Sequence, residues 1–107
     1  KPTHAQELAS IIKFLLRDKK YKSLSRSIIN ITGKDKCTWY DFSKKIYIAL
    51  KKNGMKNDCK IQPILTKQST FKARRPLNSN LSEEKFNIFF KNKIRKKSLD
   101  KAIIQCI

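Results

Sequence analysis

Apolar residues recur at helical spacing in the first part of the chain. They fall one, three or four positions apart at Ala5, Leu8, Ala9, Ile12, Leu15 and Leu16. This spacing places them on one face of a helix, so the pattern predicts a helix over residues 4–18. Thr3 and Gln6 have the form of a capping box, which supports a helix start at this point.

The middle of the chain predicts a second helix. Thr38 and Asp41 form another capping-box pattern, and Gly54 is a typical stop. Trp39 is expected to anchor this helix in the core, whereas Tyr40 is free to face a cleft. The apolar face continues through Phe42, Ile46 and Ala49 or Leu50.

Two short apolar segments flank this helix and predict strands. Residues 27–32 are rich in β-branched side chains, and the segment ends at Gly33. Residues 60–66 resemble a second strand, in which Pro63 favours an edge or irregular position. Strand, helix, strand over this length predicts a βαβ unit with parallel strands.

The last third of the chain predicts two further helices after a long connector over residues 67–81. Ser82 can cap a helix that contains Phe86, Phe89 and Phe90. Ser98 can cap a final helix that contains Leu99, Ala102, Ile103 and Cys106. The expected fold is therefore α/β: one domain over residues 1–107, with about four helices and a two-stranded parallel βαβ unit. Because two strands make a poor sheet alone, we expect this domain to pack against a neighbouring one.

The chain carries a net charge of +18, from 26 Lys and Arg against 8 Asp and Glu. One explanation is a polyanionic partner such as nucleic acid. The other is an AT-rich genome, because lysine, isoleucine and asparagine are all abundant. The basic residues are spread along the chain and lysine dominates, which favours the second explanation. No apolar run approaches the ~20 residues that span a bilayer, so no membrane partner is expected.

Cysteine and histidine offer little chemistry. The three cysteines, Cys37, Cys59 and Cys106, match no zinc spacing and no disulfide framework. We interpret them as reduced thiols of a cytoplasmic protein, with Cys106 in core packing. His4 has no partner at metal-ligand spacing and is expected at the surface.

Cofactor chemistry is absent from the sequence itself. Glycine occurs only at Gly33 and Gly54, so the chain contains no dinucleotide-binding loop and no P-loop. Tyr40 and Lys44 match the spacing Tyr-x-x-x-Lys, which we interpret as a chance match without a cofactor site. The chain opens at Lys1 without an initiator methionine, which suggests a processed or truncated product.

The segment Ala73 to Leu81 is the strongest candidate binding element. Pro76 fixes a turn after Arg74 and Arg75, and two arginines together could clamp a phosphate or diphosphate. Asn78 and Ser79 could hydrogen-bond the backbone of the turn or face a ligand. The alternative is a structural turn whose arginines are solvated or paired with a carboxylate of a neighbouring domain.

Five segments, taken in order, resemble the C-terminal part of the dTDP-4-dehydrorhamnose reductase family of extended short-chain dehydrogenases/reductases. The family's Pro-Thr-x-Ala helix start matches Pro2 to Ala5, and a short strand with a glycine-containing loop matches Ile28 to Gly33. A Trp-Tyr-Asp-Phe helix start matches Thr38 to Ser43, and a Pro-Ile strand matches Gln62 to Ile64. The most specific motif, Ala-x-Arg-Pro-x-Asn-Ser-x-Leu, matches Ala73 to Leu81.

The chain also departs from the family pattern. Ser43 stands where alanine is usual, residues 69–72 replace a tyrosine-proline stretch, and the tryptophan before the final helix is missing near Arg95 to Lys97. The Rossmann domain, with its glycine-rich loop and its catalytic Thr, Tyr and Lys, is absent from this sequence. The resemblance therefore assigns no catalytic residue and no cofactor-binding residue to this chain.

The resemblance implies the substrate-binding lobe of an NADPH- or NADH-dependent reductase that converts a dTDP-4-keto-6-deoxysugar to dTDP-L-rhamnose. It implies magnesium and a homodimer for the parent enzyme, and an N-terminal Rossmann domain as partner. The expected substrate-binding residues are Arg74, Arg75, Asn78, Ser79 and Tyr40. This chain alone should be catalytically inactive and bind no cofactor.

Two other functions compete with this one. A stand-alone basic module would bind nucleic acid, although no helix shows a concentrated basic face. A regulatory relative would keep the fold of the reductase family without its reaction.

Overall fold

The computed structural model describes residues 1–18, 21, 26–56, 58–66, 73, 76–90 and 93–107. Within these residues it contains four helices and no strand. In chain order the helices are α1 (Ala5–Arg17), α2 (Trp39–Lys52), α3 (Glu84–Phe90) and α4 (Leu99–Cys106). All four lie where the apolar spacing and the turn residues predict them.

Helix α1 has nearly the predicted length, but its N-cap residue and its buried face differ from the prediction. His4 is the N-cap and makes no side-chain cap hydrogen bond, so the predicted Thr3–Gln6 capping box is wrong. The fully buried residue is Ile11, whereas Ile12 is 46% exposed and Leu16 is 82% exposed. Helix α1 carries apolar residues on more than one face, and their spacing predicted as buried the face that is in fact the more exposed one.

Helix α2 has both predicted ends. The backbone N–H of Asp41 donates to Thr38 Oγ1 at 3.0 Å, and the N–H of Thr38 donates to the Asp41 carboxylate at 3.3 Å. The hydrogen bonds from Thr38 lower the pKa of Asp41 below its usual value. At the other end Gly54 has a φ of +88°, and the Met55 N–H donates to the Leu50 carbonyl at 3.0 Å. This is the glycine-terminated helix end that the sequence predicts.

An aromatic core joins α1 to α3. The rings of Tyr21 and Phe90 stack with centroids 5.4 Å apart, and Phe86 lies 4.6 Å from Phe90. Together with Ile11 these three residues are the buried cluster of this part of the molecule. Half-buried apolar residues surround it: Phe14, Leu15, Ile29, Ile31 and Ile94.

A second packing region joins α2 to α4. Leu99 and Ile103 of α4 are buried. The Lys45 ammonium on α2 reaches the Asp100 carboxylate on α4 at 2.5 Å, a hydrogen bond that raises the pKa of Lys45. The start of α4 is capped by a residue far away in the sequence, because the Leu99 N–H donates to the Asp35 carboxylate at 2.7 Å. The predicted cap Ser98 occupies the N-cap position without a side-chain hydrogen bond.

The predicted βαβ unit is wrong. Residues 27–32 and 60–66 form no strand and do not pair. Ile29 and Ile31 of the first segment are half-buried against the aromatic core but have no paired strand, and Ile64 of the second segment is 68% exposed. The described part of the chain is helical, with extended connections.

The hydrogen bonds of residues 32 and 33 explain why no sheet forms there. The Thr32 N–H donates to the Glu83 carboxylate at 2.9 Å, and the Thr32 carbonyl accepts from Lys96 Nζ at 2.8 Å. The Gly33 N–H donates to Thr3 Oγ1 at 3.1 Å. Backbone groups that a sheet would pair are therefore satisfied by side chains from distant parts of the sequence.

Two residues that were expected in the core lie outside it. Trp39 is 76% exposed at the start of α2, and Cys106 is exposed near the end of α4. The helices place both positions where predicted, but within the part of the chain that the structure describes no element covers these side chains.

The molecule is flat and extended for its length. Its radius of gyration is 17.2 Å, with dimensions of 50 × 36 × 19 Å, against about 13 Å for a compact domain of this size. Its accessible surface is 9353 Å², against about 6,200 Å² for a compact monomer of this mass. Much of its apolar surface therefore faces outward.

Candidate functional site

The predicted substrate-binding residues fall into three groups. Arg74 and Arg75 lie outside the described residues. Asn78 and Ser79 are exposed in a connection without regular secondary structure, and Tyr40 is half-buried in the first turn of α2. Among the described residues no hydrogen bond joins Tyr40 to Asn78 or Ser79. The five residues are therefore not shown as one assembled site, and their role stays a prediction.

The Asn78 side chain stabilises its own turn. Its Oδ1 accepts from the Asn80 N–H at 3.0 Å and from the Asn80 side-chain amide at 2.7 Å. This is the Asx-turn role, one of the two roles that the sequence left open for this residue. Tyr40 has a cationic neighbour, because Lys44 Nζ lies 5.3 Å from the centre of its ring.

One partly buried carboxylate joins four parts of the chain, and we call this cluster the Glu83 junction. It consists of Glu83, Lys1, Lys96 and Thr32. Glu83 accepts from Lys1 Nζ at 3.0 Å, from the Thr32 N–H at 2.9 Å and from Lys96 Nζ. Lys96 Nζ also lies 4.3 Å from the centre of the Phe86 ring.

The charges of the junction stabilise the packing of the chain and leave no group free for a ligand. Burial raises the pKa of Glu83, but the hydrogen bonds from Lys96, Thr32 and Lys1 outweigh burial and lower the pKa to about 2. Both ammonium groups are committed to this carboxylate, so they do not form a phosphate site. The sequence did not predict the junction, since its members lie at four distant positions of the chain.

The N-terminal segment crosses the loop at Gly33 at van der Waals distance. A Cβ added to Gly33 would lie 1.7 Å from the Pro2 carbonyl oxygen. The hydrogen bond from the Gly33 N–H to Thr3 fixes the same crossing. Two of the motifs that carry the family resemblance, the Pro-Thr helix start and the glycine-containing loop, are therefore in direct contact.

An apolar cleft of about 340 Å³ lies between the N-terminal segment, α2 and α4. Phe42 and Ile46 form the α2 wall, and Ile103 and Cys106 form part of the α4 wall. His4 lines the third side; it is half-buried, and its Nδ1 is buried without a hydrogen-bond partner. Because no Lys, Arg, Asp or Glu lines the cleft, it suits an apolar group.

A polar cleft of about 450 Å³ lies beside the contact of α1 with α4. Its lining residues are Gln6, Glu7, Ser10, Arg95, Lys97 and Gln105. Lys97 Nζ donates to Gln105 at 2.5 Å, and the Gln105 amide donates to Gln6 at 2.5 Å. Arg95 has no hydrogen-bond or ion-pair partner among the described residues. Its guanidinium is therefore available to an anion or a hydroxyl-rich ligand.

The described residues do not fit a metal or a dinucleotide cofactor. They contain no cluster of three or more His, Cys, Asp or Glu side chains that could hold a metal ion. The sequence has two glycines, and both serve the turns described above. We therefore derive no step through magnesium or a nicotinamide from this chain. Within the described residues no helix is both long and apolar enough to cross a membrane.

Comparison with known protein families identifies the family of this chain. The family model described as "RmlD substrate binding domain" matches residues 1–106. No curated protein and no solved structure matches the chain. The matched range covers all four helices, the Glu83 junction, the polar cleft and the whole apolar cleft except Ile107.

Proposed function

Because the chain belongs to the family of RmlD substrate-binding domains, we propose that it is the part of a dTDP-sugar reductase that binds the nucleotide-sugar. The observation that carries this proposal is the family match over residues 1–106. The more specific reaction is reduction of the 4-keto group of a dTDP-4-keto-6-deoxysugar to give dTDP-L-rhamnose. NADPH or NADH would supply the hydride from a Rossmann domain that this sequence does not contain.

Other parts of the proposal concern the parent enzyme. A Rossmann domain would supply the cofactor site and the catalytic Thr, Tyr and Lys, and a homodimer with magnesium at its interface would complete the assembly. We place the enzyme in the cytoplasm, in keeping with the three cysteines, none of which is in a disulfide. The large exposed apolar surface of the flat molecule supports a second protein body packed against it.

The predicted arginine-proline turn, over residues 73–81, is the proposed diphosphate-binding element. A guanidinium binds phosphate oxygens with two parallel hydrogen bonds, which suits Arg74 and Arg75 to a diphosphate. Ser79 is exposed and available to a ligand hydroxyl. Tyr40 would face the sugar from the start of α2. The polar cleft at Arg95 supports the same chemistry at a second place on the surface.

The test is calorimetric titration of the 107-residue chain with dTDP. We expect saturable 1:1 binding, and the double variant R74A/R75A should weaken it by roughly tenfold or more, since charge-assisted hydrogen bonds are lost. Arg26→Ala is the matched control, because Arg26 is an exposed arginine and lies outside every element proposed to bind. Equal losses in the double variant and the control would contradict a specific diphosphate role for the turn.

Nucleic-acid binding is the competing function, and the surplus positive charge favours it. Asp58, Glu83 and Asp100 are already paired with lysines, so the remaining surface charge is mostly positive. A nucleic-acid module predicts binding that weakens steeply with salt, because each phosphate contact releases counterions. Binding of dTDP at moderate salt together with negligible affinity for DNA at low salt would eliminate this alternative.

A further inference from the structure

Trp39 is the most exposed aromatic side chain of α2 and the sole tryptophan of the sequence. It is 76% exposed, although a tryptophan normally buries much of its ring. Its ring centre lies 6.1 Å from that of Phe42, with the two planes at 63°. The Phe42 ring therefore packs beside the indole, and most of the indole surface faces outward.

Phe42 connects this exposed ring to the apolar cleft, because it also lines the cleft wall. Residues three apart lie on the same face of a helix, so Trp39 lies one turn before Phe42, next to the residues that line the cleft but not among them. The cleft volume of about 340 Å³ falls at the lower end of the range typical of small-molecule sites. An open aromatic face beside a concave apolar wall is an arrangement that suits a flat ring.

We propose that Trp39 and the apolar cleft bind the nucleobase of the nucleotide-sugar, with the thymine ring stacked on the indole and its methyl group turned to the cleft. This inference rests on the proposed function, which makes a thymine-containing nucleotide the ligand. Stacking of a base on an aromatic side chain is a common mode of nucleotide recognition.

The other parts of a dTDP-sugar fit this place poorly. A diphosphate needs cationic partners, and no Lys or Arg lines the cleft. At the start of α2 the Thr38 and Asp41 N–H groups already donate to each other's side chains, and the Asp41 carboxylate adds negative charge that disfavours an anion there. A sugar needs several polar partners, and the cleft walls are mainly apolar. The base is the component that this surface selects.

The experiment uses the fluorescence of Trp39 in the 107-residue chain. The probes are thymidine, dTDP and deoxyuridine, and deoxyuridine differs from thymidine only in lacking the methyl group. We expect saturable quenching by thymidine and dTDP, and weaker binding of deoxyuridine. In calorimetry W39A should bind dTDP roughly tenfold or more weakly, and W39F should lose less because it keeps a ring.

The matched control is Leu16→Ala, which removes another exposed apolar side chain, 82% exposed and absent from the cleft lining. Its affinity for dTDP should equal that of the unchanged chain. If dTDP binds in calorimetry but W39A binds it equally well, the inference is overturned and the proposed function stands. If dTDP does not bind at all, the proposed function itself fails.

A protein partner on the same face is the remaining outcome. Trp39 fluorescence that changes with protein concentration and not with nucleotide would assign this face to self-association. Analytical ultracentrifugation of W39A would then show less dimer than the unchanged chain. That result would overturn the nucleobase inference.

Discussion

Replacement of Gly33 by alanine tests how the N-terminal segment is held. The new Cβ would lie 1.7 Å from the Pro2 carbonyl oxygen, whereas real Cβ contacts essentially never fall below 3.0 Å. The N-terminal segment would therefore have to retreat by about 1.3 Å, the difference between these distances. Neither atom belongs to a flexible side-chain end, so the backbone itself must move.

The retreat should break more than one contact. The hydrogen bond from the Gly33 N–H to Thr3 Oγ1 is 3.1 Å long and would be lost. Lys1 donates to Glu83 from the same segment, so the Glu83 junction would be strained as well. Overpacking costs about 1–3 kcal/mol, and a lost hydrogen bond about 1 kcal/mol more. We expect G33A to lower the free energy of unfolding by about 2–4 kcal/mol.

The assay is urea unfolding followed by circular dichroism, with Gly54→Ala as the matched control. Gly54 has no atom within 4 Å of an added Cβ, but its φ of +88° strains any other residue. The control should therefore cost about 1 kcal/mol, from backbone strain alone. A loss in G33A no larger than the loss in G54A would refute the proposed crossing of the N-terminal segment over Gly33.

Three further predictions concern the packing. The pKa of Glu83 lies at about 2, below its usual 4.5, so its contribution to stability is complete above pH 4.5 and is lost as the pH falls towards 2; E83Q should flatten this acid limb in pH-dependent urea unfolding. Phe90→Ala should destabilise the chain by about 3–5 kcal/mol in the same assay, because Phe90 is 1% exposed in the aromatic core; a loss below ~1 kcal/mol would contradict that core. Asp35→Ala should cost about 1 kcal/mol and speed hydrogen exchange at Leu99, whose N–H it accepts; unchanged exchange at Leu99 would contradict this cap.

Local features were predictable from the sequence. The ends of α2 depend on Thr38, Asp41 and Gly54, each of which acts within five residues of its own position. The four helices followed from apolar spacing and from such turn residues. Short-range chemistry of this kind is written in consecutive positions, so it can be recognised without a structure.

Long-range features were not predictable in the same way. Residues 27–32 have the composition of a strand, but a strand needs a partner, and the Thr32 N–H finds the Glu83 carboxylate instead. The exposure of Trp39 depends on which elements cover it, and apolar spacing does not record that. The Glu83 junction likewise brings together positions up to 95 residues apart (Lys1 and Lys96) around one carboxylate.

The sequence predicted which family the domain belongs to, but it did not predict how the residues of the candidate site are arranged. The family resemblance selected the substrate-binding lobe, which the family match confirms. It also selected Arg74 and Arg75, which lie outside the described residues, so their role stays a prediction. The two clefts were not predicted, because each is lined by residues from both ends of the chain.

The central claim is that this chain binds a dTDP-linked sugar at a defined place. The most direct measurement is a two-dimensional ¹H–¹⁵N NMR titration of the chain with dTDP. We expect saturable shifts in the Trp39 indole N–H and in the backbone amides of residues 73–81 other than Pro76, with few changes elsewhere. Contradiction would be an unchanged spectrum, or small shifts spread over the lysine-rich surface that disappear as salt is added.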